Sequence, residues 1–165
     1  MNEAVLKLFK ALVLFGALGG HGHSALAEGP IELPTDSGRY SLAQYEDKVV
    51  LLDFWASWCG PCRQSFPWMN SLKERFGEEG LVIIGVNLDA EHSDAEGFLK
   101  EVPAEFQILF DASGASAEQM QVQGMPMSYL VDRKGRVREK LVGFSPSRAA
   151  HHEDKIKSLL AEPAL

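Results

Sequence analysis

The chain has 165 residues and a formal net charge of −7, with 45% apolar and 24% charged residues. That length suits one domain with a real buried core, and the balance of apolar and charged residues excludes a disordered or fibrous chain. The acidic excess argues against a nucleic-acid partner, because phosphate binding needs clustered Lys and Arg.

At the N-terminus, Lys7 and Lys10 precede the apolar stretch 11–18 (ALVLFGAL), then a polar segment and Ala25-Leu26-Ala27. A basic start, an apolar centre and a small-x-small end form the pattern of a secretory signal peptide. Glu3 is out of keeping with it. An uncleaved membrane anchor and an ordinary amphipathic helix are the competing readings, although the stretch is short for a span. Neither cysteine lies close enough to carry a lipid here. The chain therefore divides into residues 1–27, a signal peptide or anchor, and 28–165, the folded domain. The domain is expected to be periplasmic or otherwise exported, where disulfides persist, and tethered to the membrane if the leader stays on.

Residues 28–38 read as an irregular lead-in with a short edge strand near Ile31, and 41–45 as one helical turn. The near-continuous apolar run 49–56 (VVLLDFWA) predicts a strand buried on both faces, as in a parallel sheet. A helix follows over 61–76, with Phe66, Met69, Leu72 and Phe76 on one face. Pro67 should kink it, and Gly77 and Gly80 should end it. A second buried strand, 81–88, completes a βαβ unit. Within 89–124 the sequence predicts a helix at 94–100, a strand at 107–110 and a short helix at 116–121. Strands at 127–131 and 136–142 flank the turn Asp132-Arg133-Lys134-Gly135, a hairpin signal. Ser145-Pro146 opens a last helix to about Ala161, with Ser145 as N-cap. The fold class is α/β: a mixed β-sheet flanked by helices, βαβ then ββα, with an inserted α/β segment between them.

Cys59 and Cys62 are the only cysteines. They follow a buried strand and open a helix, the setting of a redox Cys-x-x-Cys motif. Unpaired N–H groups and the helix dipole favour negative charge at that helix start, which lowers a thiol pKa from about 8.5 towards about 7. Cys62, one turn on, should be the more buried and should resolve a mixed disulfide on Cys59. A zinc site is disfavoured: besides the cysteines only His92, His151 and His152 follow the leader, and about four ligands are needed. Haem attachment needs His after the second Cys, where Arg63 stands. A purely structural bridge this short would stabilise little. No metal and no cofactor beyond the redox-active Cys59–Cys62 pair is expected.

Asp53-Phe54-Trp55-Ala56-Ser57-Trp58-Cys59-Gly60-Pro61-Cys62 resembles the active-site segment of thioredoxin nearly residue for residue. Pro67, Gly124-Met125-Pro126 and Val142-Gly143 match further landmarks of that superfamily. The leader, the 89–124 insert and the tract Tyr129 to Gly135 resemble its exported branch, the TlpA/ResA/CcmG-like proteins. The resemblance spans about residues 49–160. It implies a thioredoxin-like fold and a cis Met125–Pro126 bond against the cysteine pair; an X–Pro bond is otherwise trans by default. It also implies that Asp53 handles the proton of Cys62. Independently, Asp53 interrupts an apolar strand, where burial should raise its pKa; a plain strand-end hydrogen bond is the rival reading. Trp58, Gly60, Pro61, Met125 and Pro126 would contact substrate. Two departures stand out: many of these relatives carry Glu where this chain has Ser65, and Asn at the Asp53 position. Thioredoxin's Lys near the buried Asp corresponds to Gly85.

The expected activity is protein-disulfide reduction through Cys59 and Cys62. The resemblance implies protein disulfides as substrates, with cytochrome c maturation one candidate process, and a membrane thiol-electron donor of the DsbD or CcdA type; a monomer is expected. A disulfide oxidase or isomerase, and a non-catalytic binding module, are the alternatives. A peroxidase is disfavoured by the close resolving cysteine and the lack of a Pro/Thr/Cys signature. Among other residues, Trp55 is expected to pack locally, and Trp68 to lie off the helix's apolar face. His151 and His152 should be solvated, and Asp111 and Asp132 should cap or turn.

Overall fold

The computed structural model describes residues 30–164, so the leader read at 1–27 lies outside the described residues. In chain order the elements are β1 (Glu32–Thr35), β2 (Gly38–Ser41), a 3-10 turn (Leu42–Tyr45), β3 (Val49–Trp55), α1 (Cys62–Phe76), β4 (Leu81–Asn87), α2 (His92–Glu101), β5 (Gln107–Phe110), α3 (Ala115–Gln119), β6 (Met127–Val131), β7 (Val137–Val142) and α4 (Pro146–Leu160). Among the described residues no helix is long and apolar enough to cross a membrane.

Five strands form one mixed sheet in the order β5-β4-β3-β6-β7. β3 is parallel to β4, and β4 to β5; β6 is antiparallel to β3, and β7 to β6. The 89–124 insert thus adds its strand to the far edge. β3 is buried at every position, as its unbroken apolar run requires.

Side-chain alternation splits the core in two. Val49, Leu51 and Trp55 join Phe66, Met69 and Leu72 of α1, Phe98 of α2, and Ile156 and Leu159 of α4 on one face. Val50, Leu52 and Phe54 pack on the other against Leu33, Leu42 and Met120. Phe66 centres the first layer, its ring 4.9 Å from Trp55, 5.0 Å from Phe98 and 5.2 Å from Phe106. The second layer is closed by the β1–β2 hairpin, the 3-10 turn and the end of α3 rather than by a long helix.

Several expectations need correction. The lead-in is a regular hairpin, Glu32 opposite Ser41 and Thr35 opposite Gly38. Pro34 argues against a strand, but it sits in an isolated two-stranded ribbon where its missing N–H is tolerated. Gly38, at φ +108°, takes the left-handed position that closes the turn. Ser145 is the N-cap residue of α4 as expected, in extended conformation, but its side chain makes no capping bond to the backbone; its hydroxyl pairs with that of Ser147 at 3.0 Å. β7 begins at Val137, one residue late, with Arg136 in the turn, and a register shift between Leu130 and Val131 leaves Arg138 without a partner on β6. In the turn, Asp132 Oδ1 accepts the N–H groups of Lys134 and Arg136, both at 3.0 Å.

Candidate active site

β3 ends at Trp55 and α1 starts at Cys62, so the six intervening residues form a turn at the C-terminal end of the central strand. The Cys59 N–H donates to the Ala56 carbonyl and the Cys62 N–H to the Cys59 carbonyl, both at 3.1 Å. Cys59 and Cys62 are joined as a disulfide with Cα atoms 5.3 Å apart. Cys62 is fully buried, as its place on the inner face of α1 requires, and Cys59 is 4% exposed. Cys59 is therefore nearly as covered as its partner. Gly60 and Pro61 are exposed. Trp58 beside them is 72% exposed.

The peptide bond between Met125 and Pro126 is cis. Met125 packs against the core cluster that includes both cysteines, and Met127, just after Pro126, pairs with Phe54 near the C-terminal end of β3, the end from which the redox turn leaves. The Gly143 N–H donates to the Pro126 carbonyl at 2.8 Å, which ties the end of β7 to the same place. Val142, just before, is 60% exposed. It and Trp58 are the exposed large hydrophobic residues among the described residues.

Asp53 lies on the face of β3 that α1 covers, between Leu51 and Trp55 in the alternation. It is 1% exposed. Its neighbours across the sheet are Gly85 on β4 and Ser128 on β6. The Ser128 hydroxyl donates to Oδ1 at 2.6 Å, while Oδ2 has no hydrogen-bond partner. Burial pushes the carboxyl up to about 7, against the downward pull of the Ser128 hydrogen bond. A side chain at the Gly85 site would have to displace its neighbours: a Cβ there would lie 2.9 Å from Ile108 Cδ1, 3.1 Å from Trp55 Nε1 and 3.2 Å from Phe106 Cε2. The aromatic packing that fills this space leaves Asp53 without a cation.

Ser65 is buried, its hydroxyl donating to the Cys62 carbonyl at 3.1 Å. It supports the first turn of α1 and supplies no acid. Two groups escaped the sequence reading. Ser128 was hidden because only the β3–β6 register reveals it as Asp53's partner; a polar residue in the apolar run MSYLV was the available signal. Asp89, with Asn87, grips Ser57 from the end of β4.

Trp55 is fully buried, and Asp111 holds Ser113, Ala115 and Ser116 at the start of α3. Trp68 and His152 differ from expectation. Trp68 is half-buried, its ring 5.1 Å from Phe144 and 6.0 Å from His152, because α4 packs across α1 at this point. His152 is 6% exposed, with Ile156 and Leu159 on the inner face of α4. Burial pushes its imidazole below the usual range. His151 alone is solvated.

A profile of the AhpC/TSA family matches residues 28–140. The thiol-disulfide oxidoreductase ResA of Bacillus cereus strain ZK / E33L is 28% identical over 154 residues, covering 86% of this chain and 89% of that protein. ResA of Geobacillus kaustophilus strain HTA426 is 30% identical over 119 residues, covering 72% and 68%. A crystal structure from Chlorobium tepidum, assigned as the thiol:disulfide interchange protein DsbE, superposes with a TM-score of 0.74 at 45% identity, covering 81% of this chain and 94% of that one.

Proposed function

The chain belongs to the AhpC/TSA family of the thioredoxin superfamily and is a thiol–disulfide oxidoreductase of the TlpA/ResA/CcmG type, and on that premise we propose that it reduces disulfides of exported proteins. The observation that carries this reading is the Cys59–Cys62 pair in the turn between β3 and α1, with Asp53 buried on the same side of the sheet.

The reduced Cys59 thiolate attacks one sulfur of a target disulfide. That S–S bond breaks, a mixed disulfide forms, and the displaced target sulfur takes a proton from solvent. Cys62 then passes its proton to Asp53 and attacks Cys59 Sγ. The Cys59–Cys62 bond forms, the second target sulfur leaves and is protonated, and two electrons have moved from the pair to the target. A carboxyl held near 7 is matched to that proton at neutral pH. Trp58, Gly60, Pro61 and Met125 contact the target segment, and the backbone at Pro126 holds it extended.

The couple itself carries the electrons, with no further cofactor or metal, and the protein works as a monomer. Residues 1–27 direct it out of the cytoplasm. In an oxidising compartment the pair must be re-reduced, which calls for a membrane thiol-electron donor of the DsbD or CcdA type. Cysteine pairs awaiting haem attachment in cytochrome c maturation are one fitting substrate class.

The deciding measurement is the reduction potential of the pair, by equilibration with glutathione or dithiothreitol. A value at or below about −220 mV supports a dedicated reductant, and one near about −120 mV replaces it with disulfide formation. A Cys59→Ser variant is expected to lose all exchange activity; full biological activity in that variant would make the domain a binding module.

A further inference from the structure

A second buried carboxylate stands beside the redox turn and has no part in the exchange steps. Asp89 follows β4 and is 3% exposed. Its Oδ2 accepts the Ser57 backbone N–H at 2.9 Å and Asn87 Nδ2 at 2.7 Å. Its Oδ1 accepts the Ser57 hydroxyl at 2.9 Å. The Asp89 N–H donates to Asn87 Oδ1 at 3.1 Å. The anchor is rigid: Asn87 is fully buried, its carbonyl accepts the Asp111 N–H at 3.0 Å, and the Leu88 N–H donates to the Trp55 carbonyl at 2.9 Å.

What this anchor grips is Ser57, two residues before the attacking cysteine. Two residues of backbone span at most about 7 Å, so the charge of Asp89 lies within roughly 10 Å of the Cys59 backbone, and both groups are themselves buried, which weakens screening by salt. Two N–H donors converge on one carboxylate oxygen and a hydroxyl turns to the other, an arrangement suited to the ionised form. Asp89 enters no ion pair among the described residues.

We propose that Asp89 is a positioning residue for the redox pair: through Ser57 it fixes the turn that presents Cys59, and its buried charge holds the couple toward the disulfide. The disulfide is neutral, whereas the reduced pair places a negative charge on Cys59. A fixed like charge nearby opposes that thiolate and leaves the disulfide untouched. The proposal rests on dithiol exchange at Cys59 and Cys62, and not on its direction. An absolute potential tests the direction of electron flow; differences between variants test Asp89.

Asp89→Asn separates charge from shape. The amide oxygen can take the two N–H donors, and the amide nitrogen can donate to Ser57 Oγ, whose hydroxyl turns to accept. The full chain is equilibrated with glutathione, two glutathione thiols reducing the pair to two cysteine thiols and yielding one glutathione disulfide. Alkylation of Cys59 by iodoacetamide is then followed against pH. The expected result for Asp89→Asn is about a tenfold larger equilibrium constant for reduction of the pair, about 30 mV. The Cys59 titration should move down by about one unit. An equilibrium constant and a titration curve both within twofold of the parent would overturn the charge role. Ser57→Ala removes a contact at a partly exposed site and keeps the charge, so it remains informative if the Asp89 variant does not fold. It should leave the equilibrium constant within about threefold while changing the plateau alkylation rate at least twofold; an unchanged plateau rate would overturn the positioning role.

Discussion

Two carboxylates of nearly equal exposure, one deep between sheet and helix and one at a surface turn, behave in opposite ways. Asp53, near the redox turn, is 1% exposed, and Asp132, at the β6–β7 turn, is 3% exposed. Asp53 has one donor, Ser128, and burial pushes it up to about 7. Burial also pushes Asp132 up, but the side chains of Arg136 and Arg138 and the N–H groups of Lys134 and Arg136 outweigh it and pull it down to about 2. Low exposure therefore does not by itself set a carboxyl's charge; its depth in the fold and the donors around it do so together. The well-supplied group is fixed in charge and shapes a turn, while the poorly supplied one can trade a proton at neutral pH.

The largest expected effect is at Asp53. In Asp53→Asn the release step should slow about a hundredfold at pH 7, within the usual span for a lost proton acceptor, while formation of the mixed disulfide keeps its rate. Single-turnover trapping of the mixed disulfide separates the two. Stability should move the other way. The folded-state value of about 7 lies above the ordinary 3.8, so the folded protein binds a proton the unfolded chain releases between about pH 4 and 7. Stability falls as pH rises through that window. The variant escapes this loss, gaining on the order of 4 kcal/mol at pH 7 and above and nothing below pH 4. Equal denaturation midpoints for the two proteins at pH 8 would put Asp53 in the same class as Asp132.

Asp132→Ala should show the reverse pattern. The Arg136 and Arg138 side chains are 61% and 38% exposed, so their ion pairs contribute little. The loss falls on the turn, about 1–3 kcal/mol in urea unfolding, with the reduction potential unchanged. Because the folded value is depressed, this contribution is present above about pH 4 and disappears as pH falls toward 2. A shifted potential in this variant would couple the two ends of the sheet and break the contrast.

Much of the redox end was legible because its residues are contiguous. Asp53, Trp58, Cys59 and Cys62 fall within ten residues, and a buried strand running into a helix start is visible in the apolar pattern itself. Groups that act across strands were not legible. Ser128 lies 75 residues from Asp53 in sequence, and Asp89 lies 32 from Ser57; only the sheet register makes them neighbours. The packing over Gly85 was hidden for the same reason, since Phe106 and Ile108 reach it from β5 and the loop before it. The β1–β2 hairpin was legible only as a lead-in with a short edge strand near Ile31, because each of its strands is four residues long.

Ser128→Ala gives the smallest effect and the sharpest use of the contrast. Its hydroxyl is the one donor on Asp53 and works against burial, lowering the carboxyl's pKa. Removing it takes a charge-assisted hydrogen bond from the ionised form and leaves the neutral acid with less to lose. The pKa of Asp53 should therefore rise above its present value by about half a unit to one unit, the size expected for one such bond. The pH profile of mixed-disulfide release should move up with it, so that the variant is slower than the parent at pH 7 and equal to it above about pH 9. Potential and overall fold should change little, because Ser128 contacts neither cysteine among the described hydrogen bonds. A downward shift, or a loss that persists unchanged at high pH, would mean that the Ser128 hydrogen bond does not help set the charge of Asp53 as the donors of Asp132 set that of Asp132.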